Sequence, residues 1–253
     1  MYSVWQSKHQ AVLTAVCRIG VLIYKNFFPI PDYRNNLLLC VIKAILVELI
    51  CVISVRPYIR LLLNYDMRRF MVYLFNDKFT PNDARAVLKQ ARDMAINSGI
   101  IVRDVRVATD FLEIDMSLPD DIQLEDALSL LNPISPLTEY QIVEDRYMEK
   151  EASIEYARDL FNSQKYWRTH EVLEAIWKNS ENTEKLILNS IILISAALVH
   201  YQKDEIDICI SILRRALLKL DKIDGSYFGI DLHNIKAKVS KIIETGVVEK
   251  LTI

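Results

Sequence analysis

The stretch "FNSQKYWRTHEVLEAIW", residues 161–177, decides how the second half of this chain is interpreted. Helical spacing places Leu173 and Trp177 on the same stripe as His170 and Glu174. The two apolar residues predict that this stripe faces a core. The imidazole and the carboxylate are then expected to be partly buried, and each needs a partner. Such a pair is either a structural contact or part of a site.

Helical periodicity continues on both sides of this stretch and predicts an all-α helical bundle in residues 148–253. Five helices are expected near residues 149–162, 165–178, 183–201, 204–222 and 231–245. The third is apolar nearly all round but polar at both ends, which favours a core helix over a membrane span. Residues 157–177 and 197–217 are faintly similar, which favours two helical hairpins packed in one compact bundle.

A different pattern precedes the bundle. Residues 67–147 alternate strand and helix signals in the order strand, helix, strand, strand, helix, strand. This order is typical of a ferredoxin-like α+β unit. We therefore expect an α+β unit followed by an all-α bundle, with a mostly helical chain overall.

The predicted sheet has one apolar face and one polar face. In residues 111–118, apolar residues alternate with Glu113, Asp115 and Ser117. Charged residues also alternate on the preceding strand at 103, 104 and 106, and we interpret them as a solvated face. An open sheet of this kind is expected to bind a partner or a second copy of the chain.

Composition excludes several classes of function. The net charge is −2, and no basic stripe is interleaved with aromatic residues, so nucleic acid is not an expected partner. The four cysteines show no C-x-x-C spacing, which disfavours a disulfide framework or a thiolate zinc site. Cysteines without a disulfide pattern are typical of a reducing compartment, so residues 67–253 are expected in the cytoplasm. The lone Cys209 is interpreted as a small core residue rather than a nucleophile.

Residues 1–66 form an apolar extension with two open interpretations. Residues 37–55 are long enough to cross a bilayer, but the cost of Lys43 and Glu48 about cancels the gain from the aliphatic residues. If residues 37–55 span the membrane, the arginines that follow them place the C-terminal part of the chain in the cytoplasm. Alternatively, Met67 is the true start, and residues 1–66 are upstream sequence read in frame. Membrane attachment is expected only if residues 1–66 are part of the expressed protein.

Three interpretations of the polar stripe stay open. His170 and Glu174 could form a hydrogen-bond network with His200, could hold a divalent metal ion such as zinc or iron with His200, or could act as a metal-free acid/base pair. Glu171 is expected about 100° away on the helix, closer to solvent. "HEVLE" lacks the second histidine of the H-E-x-x-H metalloprotease motif. The candidate binding residues are His170, Glu171, Glu174 and Trp177.

These residues resemble a known family. "LFNSQKYWRTHEVLEAIW", "LILNSIILISAALVHYQ" and "ILRRALLKL" are similar to the domain of unknown function 309 family, over about residues 153–222. Its Phe-Asn, His-Glu-x-x-Glu-x-x-Trp, distal His and Ala-Leu features fit here at Phe161, Asn162, His170, Glu171, Glu174, Trp177, His200, Ala216 and Leu220. The chain departs from the family's Gly, Gln, Gly-Asn and Gly-Ala at Ser190, Leu193, Asp204-Glu205 and Ile208-Cys209.

The resemblance implies a helical bundle without an established activity, and the α+β unit looks similar to that of some archaeal members. We therefore expect an intracellular binding or assembly module that takes a small ligand or a peptide at its polar site. The alternative is a metal-dependent, hydrolase-like enzyme using His170, Glu174 and His200.

Overall fold

A four-stranded antiparallel sheet begins the computed structural model, which describes residues 67–144 and 148–253. Its strands are β1 (Met67–Phe75), β2 (Ile101–Val107), β3 (Phe111–Pro119) and β4 (Leu137–Ile142). Helix α1 (Ala84–Met94) joins β1 to β2, and α2 (Leu124–Ser129) joins β3 to β4. The spatial order β2-β3-β1-β4 places β1 antiparallel to both β3 and β4, which confirms the ferredoxin-like arrangement.

The apolar face of the sheet and its two helices enclose one hydrophobic core. The predicted alternation in β3 is confirmed, since Leu112, Ile114, Met116 and Leu118 are all buried in this core. Helix α1 follows a 3-10 turn, Pro81–Asp83, and Asp83 accepts a hydrogen bond from the Thr80 N–H at 2.7 Å. That bond lowers the pKa of the Asp83 carboxyl.

Five helices form the second part of the described chain and surround a separate apolar cluster. They are α3 (Lys150–Asn162), α4 (Tyr166–Trp177), α5 (Asn182–Tyr201), α6 (Ile206–Leu220) and α7 (Leu232–Thr245). Within the described residues, α5 alone is long and apolar enough to cross a membrane, and half of that stretch is buried. Its buried residues pack in the centre of the bundle, as expected for a core helix.

The faint sequence similarity corresponds to repeated backbone geometry. Gln164, between α3 and α4, has φ of 61°, and Asp204, between α5 and α6, has φ of 63°. At each turn the next residue donates from its backbone N–H to a carbonyl five residues earlier, at 2.9 Å in both cases. The two hairpins are therefore structural repeats of one another.

A short hairpin between α6 and α7 was not evident from the sequence. Strands β5 (Ser226–Tyr227) and β6 (Ile230–Asp231) are joined by Phe228 and Gly229, which both have positive φ. Two successive positive φ angles are typical of the tight turns that join antiparallel strands.

Two expectations from the sequence fall on residues that the structure does not describe. The apolar extension 1–66, with its candidate span 37–55, lies outside the described residues. The predicted boundary between residues 147 and 148 lies next to a gap at 145–147. The described residues belong to one compact unit, Asp66–Ile253.

Candidate functional site

A buried layer of charged side chains joins the second face of the sheet to the bundle. Arg106 is 1% exposed, and its Nε donates to Glu113, the residue opposite it on β3. Its Nη1 also lies 3.4 Å from Asp104 Oδ2, which in turn accepts from Lys203 of the bundle at 3.1 Å. Burial alone would lower the pKa of Arg106, but its pairing with Glu113 and Asp104 outweighs burial and raises that pKa.

The interpretation of positions 103, 104 and 106 as a solvated face is therefore wrong for Arg106. Arg103 is exposed, because the pairing of β2 with β3 shifts register between Val102 and Asp104. The bundle covers the remaining face, so Glu113, Asp115 and Ser117 are also buried. Strand alternation identified the polar face correctly, but it could not show that a second layer covers it.

Trp167 links this layer to the site helix α4. Its ring contacts two guanidinium groups, with Arg69 at 4.5 Å and Arg106 at 5.6 Å from the ring centroid. Arg69 donates two hydrogen bonds to Asp115, at 2.6 and 2.9 Å, and this pairing raises the pKa of Arg69. The start of α4 is thereby fixed against β1 and β3.

Two buried polar atoms in this layer have no hydrogen-bond partner among the described residues. They are Tyr73 Oη and Glu113 Oε2, which belong to directly opposed residues on β1 and β3. Burial and the neighbouring Glu113 charge raise the pKa of Tyr73. The Tyr73 hydroxyl and the Glu113 carboxylate interact with one another across the strand pair, so they partly compensate each other's burial.

The two hairpin turns also contact the sheet through glutamines. Gln164 accepts from the Thr109 N–H at 2.9 Å, and its amide donates to Thr109 Oγ1 at 3.0 Å. The Gln202 carbonyl accepts from the Val107 N–H at 2.9 Å, and its side chain donates to the Gln164 carbonyl at 2.9 Å. Both repeats thus contact the end of β2.

Next to this layer, α4 presents a cluster of one imidazole and two carboxylates. His170 Nδ1 lies 3.3 Å from Glu171 Oε1 and 3.9 Å from Glu174 Oε2. One ligand atom from each of the three residues fits within 4.8 Å of the others. Their side chains are 29%, 41% and 38% exposed, so the cluster is open to solvent on one side.

Glu171 connects the cluster to the charged layer. Its hydrogen bond with His170, and the nearby charges of Arg69 and Arg168, hold the pKa of Glu171 below its usual range. The carboxylate therefore stays ionised below the pH at which an ordinary glutamate takes up a proton. The helical angle of about 100° predicted that Glu171 points away from His170. The two side chains are nevertheless long enough to bring Glu171 Oε1 within 3.3 Å of His170 Nδ1.

His200 does not join the cluster. Its Nδ1 lies 2.5 Å from Glu205 Oε2 across the turn between α5 and α6. The structure therefore brings His170 and Glu174 together and places Glu171, not His200, beside them. Trp177 packs against the bundle core and lies 5.2 Å from the Lys185 ammonium.

The fold and the site together define a protein with a ferredoxin-like unit, a helical bundle and a His-Glu-Glu cluster on the bundle's second helix. Residues 154–212 match the family model described as "Domain of unknown function (DUF309)", which confirms over those residues the resemblance predicted from the motif. Comparison with curated proteins gives no match. The family match lies within the bundle and does not include the sheet.

Two other motif residues, Phe161 and Asn162, have structural roles, as does Asp204, where the chain departs from the motif. Phe161 is fully buried, and its ring contacts Tyr166 edge-on at 5.1 Å. Asn162 both donates to and accepts from the backbone of Ile253, at 3.1 and 2.9 Å. Asp204 occupies a left-handed conformation at a position where the family pattern has glycine, the residue that adopts it most readily.

Cys209 is expected to be inert in the folded chain. It is fully buried, and burial raises its thiol pKa to about 12. Because the thiolate is the reactive form, alkylation by iodoacetamide at pH 8 should be at least about a hundredfold slower than in urea. Peptide mass spectrometry of the Cys209 fragment measures this rate. Equal labelling in the native and unfolded states would contradict burial.

Proposed function

We propose that this protein is a binding module that holds a divalent metal ion at His170, Glu171 and Glu174. The observation that carries the proposal is the convergence of one imidazole nitrogen and two carboxylate oxygens within 4.8 Å. Imidazole and carboxylate groups suit zinc and similar first-row ions. All three residues lie on one regular helix, which sets their spacing.

The distances are close to those that coordination requires. Metal–ligand bonds of about 2.0–2.2 Å in a tetrahedral site separate neighbouring ligand atoms by roughly 3.3–3.6 Å. His170 Nδ1 is already 3.3 Å from Glu171 and 3.9 Å from Glu174. Small rotations of partly exposed side chains would complete the geometry.

Charge and exposure also support the proposal. Glu171 is held in its ionised form, the form in which a carboxylate binds a metal. Arg69, whose charge would repel a cation, already pairs with Asp115. The open side of the cluster leaves room for water or another ligand, so hydrolase-like chemistry is a second candidate that rests on the same ion.

The proposal predicts about one zinc-class ion for each chain. The full-length protein, purified without an affinity tag of histidines, is incubated with zinc and then dialysed. Elemental mass spectrometry measures the bound metal. Glu174→Gln removes one ligand charge with little change in shape and should lower the zinc affinity at least about tenfold.

Glu155→Gln is the matched control, because Glu155 is an exposed glutamate on the neighbouring helix α3 outside the cluster. It should bind metal as the unmodified chain does. Equal zinc in the unmodified chain and Glu174→Gln would contradict the proposal, as would a chain that retains none. Circular dichroism checks that each variant is folded.

A further inference from the structure

The two edges of the sheet differ in how they are covered. At the β2 edge, Arg92 from α1 donates to the Val102 carbonyl at 3.0 Å and to the Arg103 carbonyl at 2.8 Å. The Val107 N–H donates to the Gln202 carbonyl at 2.9 Å. This edge is therefore occupied by groups of the same chain, which prevents another strand from pairing with it.

The β4 edge is open within the described part of the chain. No described strand lies beyond β4. Leu137, Tyr140 and Ile142 are 37%, 45% and 45% exposed there. The strand contains no proline and one charged residue, Glu139, whose carboxylate is bound by Lys165 at 2.8 Å. An edge strand without proline, whose single charge is already paired within the chain, can accept another strand.

The backbone of β4 is oriented for that pairing. The Val143 N–H donates to the Arg69 carbonyl at 2.8 Å, one position beyond the opposed pair Phe70 and Ile142. In an antiparallel ladder this makes Phe70–Ile142 a non-hydrogen-bonded pair, and Val72–Tyr140 is a second one. The N–H and C=O groups of Tyr140 and Ile142 therefore point away from β1.

We propose that a second copy of this chain pairs with β4 along its open edge, antiparallel and centred on Gln141. The outward groups of Tyr140 in each copy then meet those of Ile142 in the other, which gives four main-chain hydrogen bonds across the two-fold axis. The two four-stranded sheets become one continuous sheet.

The strand's own sequence favours a second copy over another partner. In this register the aromatic Tyr140 faces the β-branched Ile142 twice, a stabilising type of cross-strand pair. Glu139 falls opposite Val143, so no like charges are opposed. Both faces of the sheet are already packed against helices of the same chain, so within the described sheet the β4 edge is the part that is free to pair.

Sedimentation of the full-length chain tests the proposal. The unmodified chain should sediment as a dimer, and Ile142→Lys should weaken the dimer at least about tenfold, since it places a charge on each side of the axis. Leu218→Lys is the matched control, because Leu218 is an exposed apolar residue of α6 in the bundle. It should leave the dimer unchanged.

Disulfide trapping tests the register. Gln141→Cys places two thiols opposite each other in a non-hydrogen-bonded pair, where Cβ atoms approach closely enough to bridge. Oxidation should cross-link Gln141→Cys well above the level of the unmodified chain, and adding Ile142→Lys should abolish the excess. A monomeric unmodified chain, or a dimer that resists Ile142→Lys and gives no excess cross-link, would overturn the proposal.

Discussion

Arg106→Ala is expected to lower the free energy of unfolding by about 3–5 kcal/mol. The guanidinium is almost fully buried and pairs with Glu113 and Asp104. Its removal leaves the carboxylate of Glu113, itself 2% exposed, buried without a counter-charge. Urea denaturation followed by tryptophan fluorescence measures the loss.

The double variant Arg106→Met with Glu113→Leu is the informative control. It removes both charges and keeps an apolar volume of similar size, so it should recover most of the stability that Arg106→Ala loses. A double variant as unstable as Arg106→Ala would show that the cost comes from lost packing against Trp167 and Met71 instead of from an unpaired charge.

His170→Ala is expected to cost less than about 1 kcal/mol, whereas Leu173→Ala should cost about 2–5 kcal/mol. The two residues are less than one helical turn apart on α4. His170 is partly exposed, and its polar partners among the described residues are the carboxylates of Glu171 and Glu174 on its own helix, so its loss leaves no buried partner unsatisfied. Leu173 is 1% exposed in the bundle core, where its loss leaves a cavity.

This comparison distinguishes a functional site from a structural contact. Thermal or urea unfolding of both variants measures the change in the free energy of unfolding. Leu213→Ala provides a second reference, because Leu213 occupies the equivalent position of the repeated hairpin and is equally buried. If His170→Ala destabilised the chain as much as Leu173→Ala, the imidazole would be a structural element, and the metal proposal would lose its support.

Local sequence patterns predicted the order of elements, because each depends on neighbours in the chain. Helical spacing placed α3 to α7 within about two residues of their observed ends, and alternation identified the buried apolar face of β3. The pairing of His170 with Glu174 also followed from helical spacing. The short β5–β6 hairpin was missed, because two-residue strands carry almost no periodicity.

The remaining features depend on contacts between distant parts of the chain. Arg106 and Glu113 could have been recognised as neighbours on paired strands, but their burial requires the bundle to cover that face. Glu171 joins the cluster because its side chain is long enough to approach His170. The angle between two residues around a helix does not describe the length of their side chains. His200 is held by Glu205, a residue at which this chain departs from the family pattern.

The charged layer between the two apolar cores limits how the sheet can sit on the bundle. Two purely apolar surfaces can slide or rotate over one another at modest cost, because hydrophobic contact has no direction. Here, a shift of the sheet by one strand would separate Lys203 of the bundle from Asp104 of β2, and Trp167 of α4 from the guanidinium groups of Arg69 and Arg106. These directed contacts favour one orientation of the sheet on the bundle, the one in which the Arg69 charge lies near Glu171.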